Sequence, residues 1–508
     1  MADYRIAVLD VGKTNKKLFV YDSEFVCLNP GEGGIVFDEV ERDGLVCDDM
    51  ESIRGWMIEG LRRAAKTYPG IRVISISTHG ATIALLGRER DRVFAGDGGL
   101  VFPVVSYMQQ MTEGEDEAFY GEMGLAPDEM QRRTGTSRMG WLLNHGKQAW
   151  FLKKRFPERF AAVTNILMFP QYLSYLLTGK KAIEPSYIGC HGLLMDVSGE
   201  KYSVVAERLG IAGKLPGLPF AESWRALGML VPDIARETGL AGDTIVTVGA
   251  HDSNAALVPY FASGLTDFVM QDSGTWVVTM SPAREATFAP GEVGKEVFFN
   301  WSVYGTPVKT TIFRGGAEFE FYRTKVLRQW AHPEELDEAV LGEIVAKREA
   351  FSLPTLERGS GLFPESVARL VGVEAIFRDA ATAWCVVDLG LAVQGYHAIR
   401  MAAGEAPETI FIEGNMGRSN PVYRAVISGL FPRARALYGT GGGAALGAAI
   451  LGAAAVEGKR PEDFGERRRL ELEEAPKSGI DAGALSAYAD EFIARVRSGT
   501  DAASIRIS

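Results

Sequence analysis

Cysteine is scarce: Cys27, Cys47, Cys190 and Cys385 are the only four in 508 residues, and none stands at metal-ligand spacing from another. That excludes a disulfide framework and a zinc ribbon, and the four are expected to be reduced, mostly buried thiols. Positive charge is not in excess either, with 54 Lys plus Arg against 65 Asp plus Glu and a formal charge of −11. The basic footprint of a nucleic-acid binder is therefore missing, and any bound phosphate must be held mainly by backbone N–H groups and a metal. No apolar run spans a bilayer, since the most apolar late stretch, Ala444 to Val456, is short and rich in Gly and Ala. Met1-Ala2-Asp3-Tyr4-Arg5 carries no signal-peptide pattern, so the expected compartment is the cytoplasm. What remains is an ordinary globular composition, 46% hydrophobic and 23% charged, on a chain too long for one core.

The centre of the chain holds the densest chemistry. Val246-Thr247-Val248 is an apolar β-branched run ended by Gly249, and a small-residue helix opens after His251-Asp252. His251 and Asp252 are thus placed at the carboxyl end of a strand, where open α/β sheets bind ligands. A carboxylate there suits a general base working beside an anionic phosphate. In the plainer reading Asp252 is only a helix cap.

Its neighbours favour the base. Near the N-terminus a strand from Arg5 to Asp10 turns through Val11-Gly12-Lys13-Thr14-Asn15 and returns through Leu18-Phe19-Val20-Tyr21. Gly12 permits close backbone approach, and Lys13 to Lys16 offer N–H and ammonium groups to a phosphate. The pattern recurs as Phe268-Val269-Met270-Gln271 entering Asp272-Ser273-Gly274-Thr275, with Trp276 to Met280 returning. Two such hairpins suggest an internal duplication, two similar α/β lobes facing each other across a nucleotide cleft.

Other segments supply candidates for the cleft wall. Ile71 to Gly80 reads as a half-buried strand ending in His79, either a substrate ligand or a satisfied polar residue. Gln109 follows another apolar run, Leu100 to Val105, and Gln171 opens a helix spanning Met168 to Leu177; Trp141 to Phe156 reads as a further helix. Residues 205–245 read as a Gly/Pro-rich connector, with the lobe boundary just after it, and Phe313 to Glu318 carries no legible periodicity. Later, a strand Thr409 to Ile412 enters Glu413-Gly414-Asn415, and Gly441-Gly442-Gly443 precede an Ala-rich helix. Those three glycines permit flat packing of a purine on bare backbone, whereas Gly447 and Gly452 read as close helix packing on the sheet. The tail, Asp481 to Ser498, reads as an amphipathic helix after a charged linker.

Asp10-x-Gly12-x-Thr14, Gly249-x-His251-Asp252, Asp272-Ser273-Gly274-Thr275-Trp276 and the late Gly-rich segment together resemble the FGGY family of carbohydrate kinases, from the first strand to about residue 458. The resemblance implies two ribonuclease-H-like lobes of the actin and hexokinase type around a central cleft: 1–253 for sugar and phosphate, 254–458 for nucleotide, and 459–508 as linker and helix. It implies ATP and Mg²⁺, phosphoryl transfer to a sugar hydroxyl, Asp252 as catalytic base and Asp10 at the metal. Gly12, Lys13, Thr14, Asn15, Ser273, Gly274 and Thr275 would hold phosphates; Gly414, Asn415, Gly441, Gly442 and Gly443 would surround the adenosine. His79, Gly80, Gln109, Gln171, His251 and Trp276 are the candidates for orienting the sugar.

Departures bear on the substrate. Tyr107-Met108-Gln109-Gln110 stands where many members have Trp-x-Asp-x-Arg, and Gln171 where many have Asp, so two sugar contacts become uncharged amides. Glu413-Gly414-Asn415 replaces a common Gly-Gly-Gly run. Ser77-Thr78-His79-Gly80-Ala81 and Asp10 to Asn15 look most like the branch with rhamnulokinase- and fuculokinase-like enzymes, which implies a ketose such as L-rhamnulose or L-fuculose, with xylulose, ribulose or a polyol as alternatives. A monomer or homodimer is expected. A non-catalytic sugar or nucleotide sensor, an actin- or chaperone-like ATPase, and a hydrolase using His251 and Asp252 are the rival readings; the last lacks a nucleophile elbow.

Overall fold

The computed structural model describes residues 3–30, 33–88, 98–357, 360–440, 443–467, 470–475, 479–499 and 504–507. Gly441 and Gly442, two of the residues expected at the adenosine, lie outside them.

The first sheet is built on β1 (Arg5–Val11), whose Ile6, Ala7, Val8 and Leu9 are all fully buried. Antiparallel to β1 runs β2 (Asn15–Asp22), followed at the edge by β3 (Ile35–Val36); on the other side lie β4 (Ile71–Thr78), parallel, and then β5 (Ala226–Met229) and β6 (Ile245–Thr247) in the order β3-β2-β1-β4-β6-β5. A two-residue strand, β7 (Ala250–His251), continues parallel beside the end of β4.

The second sheet repeats this plan. Its hairpin is β8 (Val269–Ser273) and β9 (Val277–Pro282), extended through β10 (Val297–Trp301) and β11 (Pro307–Phe313) on one side. Beyond β8 come parallel β12 (Thr409–Glu413) and β13 (Arg435–Thr440), then β14 (Glu471–Glu474), giving β10-β11-β9-β8-β12-β13-β14. Both sheets thus have an antiparallel meander joined to two parallel strands, the ribonuclease-H-like arrangement. The duplication read from the two hairpins is real at the level of register: Asp10 pairs across the parallel ladder with Ser77, and Asp272 with Glu413.

Helices cover the sheets because their apolar residues recur on one face. Helix α1 (Met50–Thr67) buries Ile53, Met57, Leu61 and Ala64, spaced three or four apart, and Asp49 caps it by accepting from Ser52 N at 3.2 Å. Helix α2 (Phe169–Thr178) is buried throughout and ends on Gly179 at φ 69°, the stop expected there. On the second sheet, α3 (Ala380–Ala403) is apolar along nearly its whole length because the sheet and neighbouring helices enclose it. The tail helix α5 (Ala482–Ser498) lays Leu485, Tyr488, Ala489, Phe492 and Val496 into the second core, so it covers a lobe. Among the described residues no helix is long and apolar enough to cross a membrane.

Two readings are corrected. The helix expected from Trp141 begins only at His145, because Trp141 sits in a turn at φ 48°. The connector 205–245 contains β5, a four-residue edge strand without the buried alternation that would reveal it. Helix α4 (Gly443–Glu457), which follows the second lobe's strands in sequence, packs on β1 and β4 of the first sheet. Gly452 makes this possible: a Cβ there would lie 2.9 Å from Ile6 Cγ2. Gly447 and Gly452 are packing glycines, as expected.

Candidate active site

Pairing of β7 with β4 sets Ala250 beside Ser77 and His251 beside Thr78. The two strand ends therefore deliver His79 and His251-Asp252 to one place, and His79 N donates to Val11 O at 3.0 Å, adding the end of β1. Asp252 is the first residue of a short helix, Asp252–Ala255, whose cap position belongs to His251. Its Oδ1 accepts from Ser253 N at 2.6 Å, inside the same turn, and the side chain remains 28% exposed to the cleft. It is thus held at a helix N-terminus with one face free.

A neutral histidine stands behind it. Asn254 Nδ2 donates to Ser186 O at 3.1 Å and lies 3.0 Å from His251 Nδ1, so Nδ1 accepts and Nε2 carries the proton. That Nε2 lies 3.3 Å from Asp252 Oδ1. Burial, reinforced by His79 and His145, pushes the imidazole down to about 3, so it stays uncharged. His79, held likewise down to about 4 by burial, bonds Gly80 O through Nδ1 at 2.8 Å and packs on Phe169 and Tyr107. Gly80 is tight against this group, since a Cβ on it would meet His251 Nε2 at 2.8 Å and His191 at 3.1 Å.

Three carboxylates share the cleft. Asp252 is pushed up to about 7, first by burial and then by the negative charges of Asp10 and Asp272. Asp10 is also raised by burial although Ser77 Oγ donates to it at 2.8 Å, and Asp272 is raised by burial against the pull of the Ser273 N–H and Arg418. The negative charges of Asp10 and Asp272 acting on Asp252 mark a place where a cation would be favoured. Among the described residues no three acidic or thiol/imidazole groups close into a metal cage. That donor set fits Mg²⁺, which takes one or two carboxylates and completes its shell with water and phosphate oxygens.

The second hairpin turn opens on a cavity of about 590 Å³ lined by Ser273, Gly274, Thr275, Gly316, Phe319, His332 and Asn415, among others. Phosphate and nucleotide candidates from opposite ends of the second lobe are thereby brought together. Contact is close: a Cβ on Gly316 would lie 1.9 Å from Gly274 O, and one on Gly414 would lie 2.8 Å from Asp272 Oδ1. Gly443 opens helix α4 at φ 59°. In the first turn a Cβ on Gly12 would meet Asn15 O at 2.9 Å, and Lys16 Nζ donates to Lys13 O at 2.7 Å, leaving Thr14 and Asn15 on a tightly tied loop.

Four candidate side chains have partners within the protein. Lys13 Nζ is held by Asp48 at 2.6 Å, Glu39 at 2.7 Å and Ser106 Oγ at 2.9 Å. Ser273 Oγ is engaged between Glu413 O at 2.7 Å and Met416 N at 2.8 Å. Gln109 accepts from Val46 N at 2.8 Å and donates to Gln110 O at 3.1 Å, so its amide serves the chain around it. Gln171 is buried and donates to Gly249 O at 3.1 Å, bracing the turn that aims Asp252, while its Oε1 has no partner among the described residues. Each of the four has at least one partner distant in sequence.

Two further side chains stand at the cleft. Asp272 was quoted in its motif without a role, although the repeat of Asp10 in the second hairpin marked it. Arg314 lies 5.9 Å from the Trp141 ring and 5.6 Å from the Trp276 ring, pairs with Glu357, and keeps a buried Nε without a partner among the described residues. It joins aromatic residues of both lobes above the cleft, which no local pattern announces.

The N-terminal domain of the FGGY family of carbohydrate kinases matches residues 5–259, and the C-terminal FGGY domain matches residues 266–461. A rhamnulokinase of Bacteroides thetaiotaomicron is 26% identical over 253 residues, 48% of this chain and 49% of that protein, and a probable L-xylulose kinase of Pasteurella multocida is 34% identical over 133 residues, 25% of this chain and 26% of that protein. The chain spans about half the length of the first of these curated relatives. The crystal structure of a carbohydrate kinase from Novosphingobium aromaticivorans superposes with a TM-score of 0.80 at 26% identity, covering 98% of this chain and 99% of that one. Xylulose kinase from Lactobacillus acidophilus shares the fold at a TM-score of 0.78 and 16% identity, over 97% of each chain. With the two lobes, the paired hairpin turns and Asp252 between them, and with family domains matched across nearly its whole length, the chain belongs to the FGGY family of carbohydrate kinases.

Proposed function

We propose that this protein is an ATP-dependent kinase that phosphorylates a hydroxyl of a ketose, with 6-deoxyketohexoses such as L-rhamnulose or L-fuculose as the leading acceptors and xylulose, ribulose or a polyol as alternatives. The observation that carries the reading is Asp252, partly open to the cleft and perturbed by Asp10 and Asp272, at the helix start facing the second hairpin turn. The names of its relatives, rhamnulokinase and L-xylulose kinase, support a ketose acceptor.

Asp252 accepts the proton of the acceptor hydroxyl as that oxygen bonds to the γ-phosphorus and the bond to the β-phosphate oxygen breaks, releasing ADP. His251 keeps the carboxylate oriented. Gly12 and Thr275 bring backbone N–H groups to the phosphates, the Gly274 N–H being used on Trp276 O at 2.9 Å to close the hairpin. Asp10 and Asp272 are the residues that would hold Mg²⁺, which when bound neutralises charge on the transferring group. His79, His251 and Trp276 line the acceptor, and closure of the lobes excludes water.

An acceptor screen over ketoses, 6-deoxyketoses and polyols, read by ADP release, tests the proposal. A ketose is expected to raise ADP release well above the sugar-free rate; turnover indifferent to every acceptor would favour a partner-directed ATPase instead. The pH profile carries a second expectation. A base must be ionised, and a carboxyl pushed up to about 7 is half ionised there. Activity should therefore rise with pH along an acid limb that bound Mg²⁺, by offsetting the charges of Asp10 and Asp272, moves below 7; the same limb persisting in the residual activity of Asp252→Asn would refute its assignment to Asp252.

A further inference from the structure

We infer that His332 selects the base of the nucleotide, a role that rests on the reading of the 590 Å³ cavity as the nucleotide pocket. The residue lines that cavity on a loop after the second sheet's meander, with Phe319 5.1 Å and Trp384 4.9 Å from its ring centroid. Its Nε2 lies 2.9 Å from Asp388 Oδ2. Asp388 is buried on α3, and its other oxygen takes a hydrogen bond from Asn420 Nδ2 at 2.7 Å. Asn420 is itself fixed, because its Oδ1 accepts from Tyr423 N at 2.8 Å at the start of helix Pro421–Leu430.

This chain of contacts leaves one tautomer. Burial raises the Asp388 carboxyl against the pull of His332 and Asn420; with Nε2 donating to that carboxylate, the neutral ring keeps a lone pair on Nδ1. Nδ1 has no hydrogen-bond partner among the described residues and is not among the buried unpaired atoms, so it is open to a ligand. A buried carboxylate is costly to maintain; spending it on a ring that lines a pocket makes sense if the ring's polarity must be fixed. An acceptor at that position pairs with the exocyclic amine of adenine and opposes the carbonyl oxygen that hypoxanthine and guanine carry there.

The test compares ATP with ITP, which replaces that amine with a carbonyl oxygen. Dissociation constants are measured by calorimetry without acceptor sugar, and kcat/KM with it. The unmodified protein is expected to favour ATP by about tenfold to a hundredfold, the range for leaving one polar group opposed or unpaired. His332→Ala and His332→Phe should bring the ratio close to one. Asp388→Asn, whose amide can donate to Nε2, should move the proton to Nδ1 and shift preference toward ITP; circular dichroism checks that this buried variant is folded. An ATP/ITP ratio unchanged in both His332 variants overturns the inference and leaves the kinase reading standing. Failure of the unmodified protein to bind either nucleotide overturns both.

Discussion

Asp252→Asn is expected to lower kcat by about 10²–10⁴, the usual contribution of a positioned general base, with the dissociation constant of ATP changed little. Asparagine keeps the size and the bonding of the turn, in which Asp252 Oδ1 accepts from Ser253 N at 2.6 Å, and removes only the capacity to take a proton. The variant should also be no less stable. The carboxyl of Asp252 is raised from 3.8 to about 7, so the folded state binds its proton more tightly than the unfolded chain does. Stability from this group is therefore complete below pH 4 and is lost as pH rises toward and through 7. Asp252→Asn should consequently match the parent in thermal unfolding near pH 4 and melt at least as high near pH 8. Turnover within threefold of the parent would remove Asp252 from the mechanism. A Tm falling steeply at pH 8 alone would show that the charged carboxylate stabilises the fold, against the sign argued here.

The second large effect is structural and reaches the same residue. Gly447 lies where α4 crosses the helix that begins with Asp252, and a Cβ on it would stand 1.8 Å from Ala255 O. Backbone cannot yield as a flexible side chain does, so Gly447→Ala must push the two helices apart. Overpacking of this kind costs roughly 1–3 kcal/mol, and Gly447→Val should cost more. Because the displaced helix carries Asp252, kcat should fall along with Tm. Gly121→Ala is the control: the residue is helical with open space around it, and alanine there should be neutral or stabilise by up to about 1 kcal/mol. If Gly447→Ala melts and turns over like Gly121→Ala, the close crossing is not what positions the base.

These predictions draw on different sources. The hairpins were legible because a strand, an acid, a glycine and a returning strand are contiguous, and because the pattern occurs twice. Asp252 was legible as a residue at a strand end for the same local reason, although whether it capped a helix was not; His251 turned out to hold the cap position. The tail helix was legible from its apolar spacing. By contrast Gln109 and Gln171 looked alike in sequence, two amides where the family often has charge, and both proved to be engaged by backbone groups, those of Val46 and Gly249. Arg314 and His332 gave no signal at all, since Trp141, Trp276 and Asp388 meet them only through the packing of separate elements.

The sequence by itself determined the two-lobed α/β plan, the family, and the acids at the strand ends, because backbone conformation and burial pattern are written in neighbouring residues. Only the tertiary structure decided the partners of the polar groups. Lys13 is adjacent to a phosphate-type turn yet bonds Asp48 and Glu39, since an ammonium on a flexible stem reaches carboxylates that other segments bring near it. Helix α4 follows the second lobe in sequence yet packs on the first, since its small-residue face fits β1 and β4. In both cases the deciding atoms lie far away along the chain, and distance in sequence does not measure distance in the fold.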